Sequence, residues 1–95
     1  MEGRSHEALS VDALAAALPI TPREAEVLAC IASGMTNAQV GRKLAISVRT
    51  VVKHLEHLYR KLGVTNRVAA TARAFRAVGI GEDRGGADGP DGADA

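Results

Sequence analysis

With 95 residues, 46% of them hydrophobic but including one Tyr, one Phe and no Trp, the chain has room for one small domain whose modest core must be built from Ala, Leu, Val and Ile, a composition that favours helices. The single Cys30 excludes an intramolecular disulfide, no apolar run is long enough to span a bilayer, and Met1 is followed by acidic and polar residues rather than a signal sequence, so a cytoplasmic setting without membrane attachment is expected. The formal net charge of +1 is unevenly spread: residues 1–19 carry −2, residues 80–95 carry −4, and ten Lys/Arg against Glu24, Glu26 and Glu56 give residues 20–79 a charge of +7.

Residues 1–19 place Leu9, Ala13, Ala16 and Ala17 at helical spacing ahead of Pro19, which fits either a short helix or a linker. From residue 20 the punctuation is sharper. "ITPREAEVLACIASG" opens with a capping box, Thr21 and Glu24, puts Pro22 at the first helical position and stops at Gly34, with Ala25, Leu28, Ile31 and Ala32 facing inward. "MTNAQVGRKLA" repeats the signature with Thr36 and Gln39, adds Met35 and Val40 as a hydrophobic staple, and ends near Ala45. A third helix runs from Ser47 to Gly63, and a fourth from Thr65 or Asn66 to Gly79. The tail from residue 80 is Gly- and Asp-rich and is expected to be disordered, since it cannot offset the entropy of ordering. Its removal is expected to raise non-specific affinity for a polyanion.

Only about three residues, Ala45 to Ser47, separate the second and third of these helices, which forces a steep crossing of the helix-turn-helix kind. At about 100° per residue, Val51, Leu55, Leu58 and Leu62 of the third helix fall on one side and form its buried stripe. Arg49, Lys53, Glu56, His57 and Arg60 fall on the other, with Val52 at the boundary. A compact and mostly cationic face on the second partner of such a unit suits a DNA major groove. Thr36, Asn37 and Thr50 stand at helix starts, where N–H groups can bind phosphate. Charges on an outer helix face are also often merely solvated; the +7 charge and the tight two-helix unit favour the nucleic-acid reading here.

"TPREAEVLACIASGMTNAQVGRKLAISVRTVVKHLEHLYRKLGVTNRVAATARA" resembles the DNA-binding domain of the LuxR/GerE family of bacterial transcription regulators, over about residues 20–78. The motifs that carry the resemblance are TPREAEVL, Gly34 with Thr36-Asn37, Ile46-Ser47 with Thr50-Val51 and His54, RKLGV, and Asn66-Arg67 with Ala70. The resemblance implies an all-α, four-helix domain whose third helix, about residues 48–62, lies in the major groove of double-stranded DNA. It further implies Thr50 on phosphate, Val52, Lys53 and Glu56 towards bases, and Arg60 and Lys61 on the backbone. Many members pair on two half-sites through the last helix, which makes Ala72, Phe75 and Arg76 candidate dimer contacts, although the core is the favoured place for Phe75.

The sequence departs from the family where many members carry a basic residue in place of Val52, and where Glu56 sets a carboxylate towards a polyanion. It also lacks the phosphoacceptor or small-ligand domain that usually precedes this one, as expected of a fragment or of a small stand-alone member. The alternative function is a helical adaptor that docks on RNA polymerase or another regulator through the basic face. No catalytic constellation or cofactor loop is visible, so neither enzyme activity nor a cofactor is expected. His54, Glu56 and His57 lack the spacing of a zinc-protease helix, so no metal is expected either. Cys30 reads as a small core residue.

Overall fold

The computed structural model describes residues 9–79, which form five helices and, among the described residues, no strand. These are α1 (Val11–Ala17), α2 (Pro22–Ala32), α3 (Asn37–Leu44), α4 (Val48–Leu62) and α5 (Arg67–Ala77). The four helices anticipated between residues 20 and 79 are α2 to α5. The acidic segment from residue 80 lies outside the described residues. No described helix is long and apolar enough to cross a membrane.

Each helix starts at a side chain that takes up an otherwise orphaned backbone N–H. Ser10, Thr21, Thr36, Ser47 and Asn66 accept from the amides of Ala13, Glu24, Gln39, Thr50 and Ala69. At Thr21 and Thr36 the box is reciprocal, with Glu24 Oε1 accepting from Thr21 N at 2.9 Å and Gln39 Oε1 from Thr36 N at 2.8 Å. Two of the helices end in a left-handed cap. Gly63 closes α4 with φ 70°, a value glycine adopts without strain, whereas Ala45 closes α3 at φ 59°, a region that costs an L-residue with a Cβ about 1–2 kcal/mol.

α2 is the central helix and touches each of the other four. Ala25, Val27, Leu28, Cys30 and Ile31 are buried along it, a broader face than the four-residue stripe read from spacing, and Ala32 is only half-buried. α4 contributes Val51, Leu55, Leu58 and Leu62, as its periodicity requires, and α3 contributes Val40. α5 contributes Ala70 and Ala74.

Two expectations about packing change. In and around α1 the inward residues are Leu14 and the C-cap Leu18, with Ala13, Ala16 and Ala17 exposed and Leu9, ahead of the helix, half-buried. Burying a leucine removes far more apolar area from water than burying an alanine, so the large side chains set the rotation of this short helix. Phe75 is half-buried rather than central, because small alanines occupy the inward positions of α5.

Candidate nucleic-acid interface

The α3–α4 connection consists of Ala45, Ile46 and Ser47. It is held by Ile46 N donating to Gly41 O at 2.9 Å, while Gly41 itself is buried. A Cβ at Gly41 would come within 2.7 Å of Ile46 O, so the absence of a side chain there is what lets the turn fold back onto α3. The tight turn leaves one side of α4 uncovered along its length.

Two parallel rows run along that uncovered side, four residues apart as helix neighbours are. One row is Arg49, Lys53 and His57, all exposed, continued by exposed Arg60. The other is Val48, Val52 and Glu56, also exposed, with the valines at 46% and 39%. Val48, Arg49, Val52, Lys53 and Glu56 together line one shallow open groove. Val48 was not singled out from the sequence. Its signal was available, since it sits one turn before Val52 on the same row. Arg42, exposed on α3, shares a second groove with Val48 and also went unremarked.

The remaining candidates fall into three settings. Thr50 is half-buried in the first turn of α4, its Oγ1 3.0 Å from Ser47 Oγ and its N donating to that same oxygen. Thr36 is exposed and committed to its cap, whereas Asn37 Oδ1 accepts from Arg67 Nη2 at 2.7 Å, and Arg67 Nη1 also donates to Met35 O at 2.9 Å. Lys61 is turned away from the outer rows: its Nζ lies 2.8 Å from Glu24 Oε1 on α2. Ala72 and Arg76 are exposed on α5.

Two groups carry shifted protonation. Burial pushes the Glu24 carboxyl up, but hydrogen bonds from Lys61 and from the Thr21 backbone, with the Lys61 charge, outweigh it and hold the group below its ordinary value. Burial raises the Cys30 thiol, with nearby Lys43 acting in the opposite sense, which leaves a protonated and poorly nucleophilic sulfur. Among the described residues the ion pairs are Arg23–Glu26 and Lys61–Glu24, so a Glu56–Arg60 pair is not formed.

A family model described as "Bacterial regulatory proteins, luxR family" matches residues 18–74, more than half of the chain. The chain is 51% identical over 53 residues to the "Probable transcriptional regulatory protein SgaR" of Hyphomicrobium methylovorum, an overlap of 56% of this chain and 25% of that protein. It is 44% identical over 72 residues to the "Nitrate/nitrite response regulator protein homolog" of Haemophilus influenzae, covering 76% of this chain and 32% of that one. The chain thus spans a quarter to a third of the length of these relatives. No solved structure matches it. A helix-turn-helix with an uncovered cationic helix, carried on a sequence that the family model matches from Leu18 to Ala74, makes this chain a member of the LuxR family of bacterial transcription regulators, with that family's helix-turn-helix DNA-binding domain.

Proposed function

We propose that the chain binds double-stranded DNA sequence-specifically and regulates transcription, with α4 lying in the major groove. The observation that carries this reading is the pair of exposed rows on α4, opposite the buried Val51, Leu55, Leu58 and Leu62 and on the second helix of a tight helix-turn-helix. Arg49, Lys53 and His57 supply hydrogen-bond donors along the groove, and Arg60 meets phosphate beyond it. Thr50 contacts phosphate at the start of α4. Lys61 is already engaged by Glu24, so in this reading it sets the direction of the last turn of α4 while sharing its charge with the DNA backbone. Thr36 and Asn37 border the phosphate path at the start of α3.

Pairing of two copies on two half-sites through α5 belongs to the same proposal, with exposed Ala72 and Arg76 and half-buried Phe75 at the contact. Val68, 79% exposed and four residues before Ala72, extends that face. A DNA ligand carries with it a cytoplasmic location in a bacterium.

The test is binding of the full chain to duplex DNA over a range of salt, with sites selected from a random pool. Affinity is expected to fall steeply with salt, each neutralised phosphate contributing a slope of about −0.9. A flat response, or no binding at low salt, would overturn the reading. Binding without any enriched site would leave DNA binding and remove the specificity.

A further inference from the structure

Resting on that DNA-binding reading, the geometry points to a division of labour between the two rows of α4, in which Val48 and Val52 select thymine by its C5-methyl group. Among the described residues, the two valines belong to the few large hydrophobic side chains left in solvent, at 46% and 39% exposure. Both are on the N-terminal half of α4, and both line one groove with Arg49, Lys53 and Glu56. Exposed β-branched residues contribute nothing to the hydrophobic core and are poorer helix formers than the Lys, Arg or Gln a solvated surface would accept.

The chemistry of the occupant follows from what surrounds the valines. Arg49 and Lys53 flank them with positive charge, which suits a polyanion and opposes an apolar peptide or lipid chain. Along the edges of the major groove, the one apolar group is the C5-methyl of thymine. A valine isopropyl group set between cationic neighbours is therefore matched to a thymine methyl held in place by the phosphates on either side. Arginine or lysine at the same positions would instead favour guanine. Four residues along the helix axis cover about 6 Å, close to two base-pair steps, so the two valines can address separate pairs of one half-site.

Removing a single methyl tests this without disturbing hydrogen bonding. A preferred duplex is selected with the full chain, and each thymine in it is replaced in turn by deoxyuridine, which keeps the O4 acceptor and lacks the methyl. Affinity is expected to fall about fourfold at one or two positions, the factor that burial of one carbon group is worth. In Val52→Ala or Val48→Ala, the loss at one of those positions should vanish while the other positions respond as before. Both side chains are exposed, so the substitutions leave the core intact.

The inference is overturned if no single deoxyuridine lowers affinity, if the selected sites hold no thymine, or if the losses persist unchanged in both alanine variants. In each of those cases salt-dependent binding to the selected duplex still stands, which separates failure of the methyl reading from failure of DNA binding. A protein that binds no duplex at low salt overturns both.

Discussion

The Nζ of Lys61 lies 2.8 Å from Oε1 of Glu24, tying the last turn of the exposed helix α4 to the first turn of the central helix α2. Glu24 is only 5% exposed and at the same time caps α2 through Thr21, so one carboxylate serves two elements. Its pKa lies below the ordinary value, which means the folded state favours its charged form. The stability it contributes is therefore present above the unfolded pKa, about 4.3, and is lost as pH falls through the lower folded value. Lys61→Met keeps the apolar stem and removes the charge. It should lower stability at pH 7 by about 1–2 kcal/mol, a modest figure because the lysine is partly solvated. Chemical denaturation of both proteins between pH 3 and pH 7 checks this: the difference should shrink towards the acid end, and a constant difference would show that lost packing, not charge, is responsible.

Gly41 and Ile46 are in closer contact than any side chain would permit. Gly41→Ala sets a Cβ against the carbonyl oxygen of Ile46, a backbone atom that can yield only if the α3–α4 turn opens. The variant should lose about 1–3 kcal/mol by denaturant titration. Its DNA affinity should fall as well, since the same distortion tilts α4. Unchanged stability would mean the turn is more compliant than its hydrogen bond to Gly41 O implies.

Arg67 bridges α5 to the start of α3 by donating to both Met35 O and Asn37 Oδ1. Arg67→Ala strips both acceptors at once and is expected to cost about 1–3 kcal/mol. Arg67→Lys should recover only part of this, because a single ammonium cannot reproduce the planar fork. Thermal melting of the three proteins ranks them, and an equal ranking of lysine with arginine would contradict the two-acceptor role.

Thr50→Ala removes a hydroxyl at the start of α4 without touching the exposed rows. Binding should weaken by a similar factor on every duplex, because a phosphate contact carries no sequence information. A loss confined to one operator would assign Thr50 a base instead.

Glu56 stands at the end of the valine row with no ion pair among the described residues, so its carboxylate is available to accept from a cytosine amino group. Glu56→Gln preserves shape and removes the charge that repels phosphate. Random duplexes should then bind more tightly, while preference at one base pair shrinks by about 1–3 kcal/mol. A panel of single-base operator variants decides the matter: an even gain at every site would end the base-reading role.

Local grammar made most of this fold legible. The N-caps Thr21, Thr36 and Ser47, the glycine end of α4 at Gly63 and the buried stripe of α4 depend on residues within a turn or two of one another, so spacing alone discloses them. Spacing narrows the start of α5 only to Thr65 or Asn66, of which Asn66 is the cap. Glu24–Lys61 and Arg67–Asn37 join positions 37 and 30 residues apart, and nothing local marks them. On the exposed side of α4, charge and spacing mark Arg49, Lys53, His57 and Arg60, whereas Val48 looks like core material until the fold shows α4 turning it outward. In α1 an alanine-rich stretch fits several rotations equally well, and only Leu14 and Leu18 break the tie.

That rotation of α1 bears on where the domain can be cut and grafted. Leu14 is wholly enclosed, and α1 rests on both α2 and α5, whereas the family match begins only at Leu18. A chimera joined at residue 18 or 20 would keep every exposed side chain of α4 and yet uncover apolar surface on α2 and α5, making an adhesive seam where a soluble join was intended. Transplanting the exposed face of α4 onto another scaffold therefore requires residues 10–79, including a helix that lies largely ahead of the residues by which the family is recognised.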